Sequence, residues 1–122
     1  MDFYCNKCNT KINEDPIEEF DSSQIKMKSE AQLLPVGKFV YAHDVQINFG
    51  VEIKYLVHQH SVRFRYHEDS SRHHGCCGPS NFEQLTLICP NCKNEIGLIS
   101  GDCLFPHFVG ISPKGISLKP LW

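Results

Sequence analysis

No stretch of this 122-residue sequence approaches the roughly 20 consecutive apolar residues of a membrane-spanning helix, so a bilayer span is not expected. The start, Met1-Asp2-Phe3-Tyr4-Cys5, lacks the basic and apolar regions of a secretory signal. The expected compartment is therefore the cytoplasm, where thiols stay reduced. A basic excess is missing too. Net charge is −2, whereas nucleic-acid binders draw much of their affinity from cationic contacts to phosphate. A nucleic-acid partner is thus disfavoured, and a protein partner or a small ligand is the expected kind. No apolar periodicity long enough for an extended helix is visible.

What is present suits one globular unit spanning residues 1–122. The apolar share is 41% and the charged share 21%, both near globular averages, which argues against wholesale disorder. Strand signals begin in the middle. Val45, Ile47, Phe49, Val51, Ile53, Tyr55 and Val57 are apolar at every odd position, with polar residues between most of them. That is the period of a half-buried strand, long for one strand and expected to bend at Gly50. Parity then flips to Val62, Phe64 and Tyr66. The simplest solution is a hairpin pairing Val57 with Val62, Tyr55 with Phe64 and Ile53 with Tyr66 around the turn His58-Gln59-His60-Ser61. Further strands are expected over 84–88, 95–100, 108–111 and 115–118, each a short apolar run near Gly or Pro. Residues 13–36 allow a loop, an edge strand or a short helix.

Seven cysteines is an odd number, and four of them fall in two Cys-x-x-Cys pairs. Tyr4-Cys5-Asn6-Lys7-Cys8-Asn9-Thr10-Lys11-Ile12 and Ile88-Cys89-Pro90-Asn91-Cys92-Lys93-Asn94-Glu95-Ile96 share one pattern: an apolar or aromatic residue, the cysteine pair, three polar residues and Ile. Two residues between cysteines make a tight turn that points both sulfurs at one centre. Two such turns supply four thiolates in a tetrahedron, the donor set of a structural zinc site with no open coordination position. Cys5, Cys8, Cys89 and Cys92 are the expected ligands of one structural Zn²⁺. Iron would take the same donors, and two separate redox or free thiol pairs are the other reading. A zinc tetrathiolate carries net charge −2, which Lys7, Lys11, Lys93 and nearby backbone N–H groups are placed to offset.

Cys8 and Cys89 lie about eighty positions apart, far more than in most zinc ribbons. A mainly β chain with one knuckle at its start and the other late resembles the β-tent group: Yippee-type proteins, the thalidomide-binding domain of cereblon and the B-type methionine sulfoxide reductases. The second knuckle, Cys89-Pro90-Asn91-Cys92 followed by Ile96-Gly97, is similar to their Cys-x-x-Cys-x-x-x-aliphatic-Gly. The resemblance rests on the two knuckles alone. It implies a mainly β fold in which two antiparallel sheets meet at a four-cysteine zinc site, as a β-tent or an extended zinc ribbon. It does not carry over an activity. The cereblon-type pocket is a tryptophan cage, and the only tryptophan here is Trp122. The reductases place a catalytic cysteine in a late strand, and residues 108–118 contain none.

Other reactive groups cluster later. Arg72-His73-His74-Gly75-Cys76-Cys77-Gly78 sits in a long polar loop over 67–83, with Cys103 and His107 further on. His73, His74, Cys76, Cys77, Cys103 and His107 are candidates for a second metal site, or for thiol chemistry with a cysteine activated by the neighbouring cations. The bland reading is a glycine-flanked turn with small buried cysteines. Asp102, Cys103 and His107 have the composition of a catalytic triad, although such partners meet in space and not in sequence. The zinc deaminase signature fails, because His67 adjoins Glu68 directly and Pro90 lies inside the knuckle. Arg63, Arg65, His67, Arg72, His73 and His74 form a basic stretch that suits an anion or simply the solvated side of a sheet. The leading expectation is a noncatalytic zinc β domain that binds a protein or small ligand, in a regulatory or immunity-type role. The alternative is a thiol oxidoreductase related to the sulfoxide reductases, using Cys103 or the Cys76-Cys77 pair.

Overall fold

Three strands dense in buried apolar residues organise the chain. In the computed structural model, which describes residues 1–73 and 78–121, β4 (Tyr55–Val57) is buried throughout and so is β8 (Phe108–Ile111). β7 (Glu95–Ser100) is buried from Ile96 onward. With both faces covered, such strands read as continuous apolar runs and not as alternating ones. They lie side by side at the centre of a seven-stranded sheet of order β2-β3-β4-β8-β7-β6-β5. The flanking strands are β2 (Glu18–Glu19), β3 (Lys38–Tyr41), β5 (Arg65–Tyr66) and β6 (Leu87–Ile88). Every pairing is antiparallel except β2 with β3, which runs parallel. A second sheet holds only β1 (Tyr4–Cys5) and β9 (Ile116–Ser117), paired antiparallel. The helices among the described residues are short 3₁₀ turns, and none is long and apolar enough to cross a membrane.

The period of two along each strand divides the interior into two cores. Phe39, Tyr55, Val57, Val109 and Ile111 face one side, where Phe3, Ile12, Ile17 and Ile116 cover them. Val40, Leu56 and Phe108 face the other, under Leu33, Leu34, Ala42 and Val45. Phe49, Phe82 and Phe108 form an aromatic group on that second side, with ring centroids 5.4 to 6.0 Å apart.

The strands expected over 95–100 and 108–111 are β7 and β8, end to end. The central hairpin is overturned. β4 pairs with β3 on one edge and β8 on the other, so neither edge is open to the chain that follows. That chain turns over at His58, where Ser61 N–H donates to the His58 carbonyl (2.9 Å), and crosses to the far edge, where β5 pairs with β6. Tyr66 consequently stands exposed instead of opposite Ile53. The long strand over 45–57 is likewise only its last three residues. The odd positions from 45 to 53 do point inward, and Ile47, Phe49 and Ile53 pack on the second core from a run that is not a strand. The bend at Gly50 is present, with Gly50 N–H bonded to the Phe82 carbonyl.

Candidate metal centre

Each knuckle is a closed turn, and the two are built alike. In the first, Asn9 N–H donates to the Cys5 carbonyl (2.9 Å) and Cys5 N–H to the Thr10 carbonyl (2.8 Å). In the second, Lys93 N–H donates to the Cys89 carbonyl (3.3 Å) and Cys89 N–H to the Asn94 carbonyl (2.8 Å). Closing either turn sends the residue after the second cysteine into the left-handed region, Asn9 at φ 66° and Lys93 at φ 67°. The sequence repeat is therefore a repeat of backbone conformation.

The two turns meet where the sheets meet. Cys5 ends β1 of the small sheet, while Cys89 follows β6 and Cys92 precedes β7 of the large one. All four Sγ atoms lie within 4.8 Å of one another, with Cys5 to Cys92 at 3.5 Å and Cys8 to Cys89 at 3.7 Å. A tetrahedral ion with metal–sulfur bonds of about 2.3 Å requires edges of about 3.8 Å. A disulfide would require about 2.05 Å, and all four thiols are free. Spacing and donor chemistry thus fit a metal ion held by four sulfurs. Cys5 and Cys89 are fully buried, whereas Cys8 and Cys92 are partly open to solvent.

Polar neighbours point at the sulfurs. The Thr10 hydroxyl lies 3.0 Å from Cys8 Sγ, Asn91 N–H donates to Cys89 Sγ (3.4 Å) and Asn94 Nδ2 donates to Cys5 Sγ (3.5 Å). Asn94 Nδ2 also reaches Asn6 Oδ1 (3.1 Å) and the Gly115 carbonyl (3.2 Å), so one amide ties both knuckles to the approach of β9. Only glycine fits at 115, because a Cβ there would overlap the Glu95 carbonyl oxygen. Burial pushes the Cys8 thiol up, but bonds from Thr10 and Asn91 outweigh it and bring it down to about 6. Burial raises Cys89 and pushes Cys92 up to about 12. Binding a cation to four thiolates displaces the protons held there.

Two lysines expected to offset the thiolate charge have carboxylate partners instead. Lys93 pairs with Glu68 at 2.7 Å and Lys11 with Asp2 at 3.6 Å. Thr10 and Asn94 are the sulfur neighbours that the sequence reading missed. Their signal was the repeat itself, since each stands two residues after the second cysteine of its knuckle.

The remaining candidates do not join this centre. Among the described residues the four knuckle cysteines are the group of metal-ligating side chains that converges. His74, Cys76 and Cys77 lie outside the described residues. Cys103 is disulfide-bonded. His107 Nε2 bonds the main-chain carbonyl of Asp102 (3.1 Å), and His73 Nε2 bonds the His67 carbonyl (2.6 Å). Part of the basic stretch is internally neutralised. Glu95 accepts from Arg72 (2.7 Å) and contacts His67 (2.8 Å), and Arg72 also meets Asp69 (3.3 Å). Comparison with protein-family models, with curated proteins and with solved structures gives no match.

Proposed function

We propose that this chain is a noncatalytic zinc-binding β domain, spanning 1–122 as one unit, whose ion on Cys5, Cys8, Cys89 and Cys92 is structural and whose surfaces bind a protein or small ligand. The observation that carries the reading is the convergence of four thiols, all within 4.8 Å of one another and with two of the spacings, 3.5 and 3.7 Å, near the edge of a zinc–thiolate tetrahedron. Four protein ligands leave no place for a substrate or an activated water, which is the signature of a structural zinc site. The location agrees. A two-stranded sheet cannot sustain itself, and the ion fixes this one to the large sheet. Structural zinc contributes on the order of 10–16 kcal/mol to folding, comparable to the whole stability of a small domain. Two sheets meeting at the cysteines is also the arrangement that the β-tent resemblance implies.

A competing thiol-oxidoreductase reading draws on the disulfide at Cys103. Elemental analysis and X-ray absorption of the purified protein test the leading proposal. One zinc per chain in a four-sulfur shell is expected. Metal-free folded protein, or a shell containing oxygen, overturns it. Methionine sulfoxide reduction that is lost in Cys103→Ser, with zinc retained, would favour the oxidoreductase.

A further inference from the structure

One edge of the large sheet is open, and its hydrogen-bonding groups face outward. β5 (Arg65–Tyr66) is the last strand in the order β2-β3-β4-β8-β7-β6-β5. β6 covers one side of it, and no strand among the described residues covers the other. The register pairs Arg65 with Ile88 and Tyr66 with Leu87, and His67 N–H donates to the Thr86 carbonyl (2.8 Å). His67 and Arg65 therefore bond toward β6. In an antiparallel ladder the residue between two such positions turns its own N–H and C=O away from the partner strand. Tyr66 is that residue, and it is 53% exposed. An outward donor and acceptor on an uncovered edge are a template for one more strand.

Side chains give that edge two different faces. Tyr66 stands edge-on to Phe64 (ring centroids 6.0 Å apart) and to His73 (5.5 Å), which makes an aromatic row, and Phe64 also packs on the first core. Arg63 and Arg65 alternate with these rings and are exposed. Neither forms an ion pair among the described residues. Glu68 lies within electrostatic reach of Arg65 but is bonded to Lys93 at 2.7 Å, and Glu95 is taken by Arg72 and His67. The charges disfavour a second copy as occupant. Its own Arg63 and Arg65 would come to the same seam, where like charges destabilise a sheet. The acidic edge β2 offers little to such a copy. Glu18 and Phe20 donate to the Gly37 and Phe39 carbonyls and Ile17 donates to the Met1 carbonyl, which leaves only Glu19 of β2 facing out. A nucleic acid brings phosphate acceptors but no row of amide donors for the carbonyl on the edge.

We infer that β5 takes an extended acidic segment of a partner protein as one more strand of the sheet. The segment's backbone pairs with Tyr66, its carboxylates meet Arg63 and Arg65, and its alternate apolar side chains lie beside Phe64 and Tyr66. This names a partner chemistry for the binding-module reading, on which it rests, and involves none of the metal ligands. The test is an NMR titration of the full chain with the peptide acetyl-Val-Glu-Val-Glu-Val-amide, with zinc content measured on the same sample. Saturable shifts centred on the Tyr66 amide and spanning residues 62–68 are expected. The same peptide N-methylated at its valines should not bind, because it has no donor for the Tyr66 carbonyl. Glutamine in place of both peptide glutamates should weaken binding by about fivefold. In Arg65→Gln that ratio should fall to about twofold. Equal binding of the N-methylated or the glutamine peptide overturns the assignment, as does the absence of saturable shifts at the edge. Edge shifts that follow protein concentration instead of peptide, or that oligothymidylate reproduces, give the edge to a second copy or to nucleic acid and overturn it too. Any of these failures in a zinc-loaded chain leaves the metal proposal standing, whereas a folded chain without zinc fails the metal proposal whatever the peptide does.

Discussion

The two knuckles have the same turn, the same pair of backbone bonds and the same left-handed residue, yet they sit in unequal surroundings. The second is flanked by β6 and β7, which pair with each other inside a seven-stranded sheet. The first follows a strand of two residues whose only strand partner among the described residues is the equally short β9. Local sequence determines the shape of such a turn, but the sheet behind it determines how much of its order depends on the metal. A metal ion held by the four sulfurs would therefore do different work at its two ends. It would close a turn that a large sheet already supports, and it would anchor one whose ladder is two residues long and whose other ties include bonds from Asn6 to Gly115 and Lys114 and from Leu121 to Asn9.

The largest effect follows from removing the ion. Chelation should release the first knuckle before the second. Amides of residues 4–11 are expected to lose more protection from hydrogen exchange than those of residues 88–95, because a ladder of two residue pairs stands behind the first turn and a seven-stranded sheet behind the second. Amides of β7 and β8 at the sheet centre should keep most of theirs. Exchange mass spectrometry on zinc-loaded and chelated protein measures both at once. Equal loss across the two knuckles would break the comparison, since it would mean that the large sheet does not support its own turn.

A smaller difference separates the two polar residues that face the sulfurs. Asn94 joins Cys5, Asn6 and the Gly115 carbonyl, and so crosses from one knuckle to the other, whereas Thr10 bonds a sulfur of its own turn. Asn94→Ala strands buried partners and should cost about 1–3 kcal/mol. Thr10→Val removes one bond at a more open site and should cost about 1 kcal/mol. Denaturation midpoints of the zinc-loaded variants give the order, and a larger cost at Thr10 would reverse the roles assigned here.

How far each feature could be read from sequence depends on how local its cause is. The cysteine turns were legible because spacing and sulfur chemistry are local, and β7 and β8 because only a central strand carries an unbroken apolar run. The alternation from Val45 to Val57 correctly gave the side that each residue faces. It failed to give the strand, because inward and outward alternation describes extended backbone, and a ladder also needs a partner with a free edge. Both edges of β4 were claimed by other segments, the preceding strand β3 and the distant β8, so the hairpin had no place to form. The sulfur donors Thr10 and Asn94 were overlooked because a polar residue after a knuckle looks like ordinary surface. Only the fold shows that Asn94 stands between the turns.

The smallest test exchanges the one residue in which the matched turns differ at their strained position. Asparagine tolerates the left-handed region better than other non-glycine residues, because its short polar side chain can bond locally, whereas lysine bears the steric cost of its Cβ. Asn9 holds that position in the first turn and also accepts from Leu121 N–H (2.7 Å). Lys93 holds it in the second, with a partner, Glu68, on an exposed ion pair worth little. Lys93→Asn should therefore stabilise the protein by somewhat less than about 1 kcal/mol, and Asn9→Lys should destabilise it by a similar amount, the exposed Leu121 bond adding little. Thermal melts of the zinc-loaded variants resolve both changes. If both substitutions shift the melting temperature in the same direction, the equivalence of the two turns fails at the residue where their backbones agree most closely.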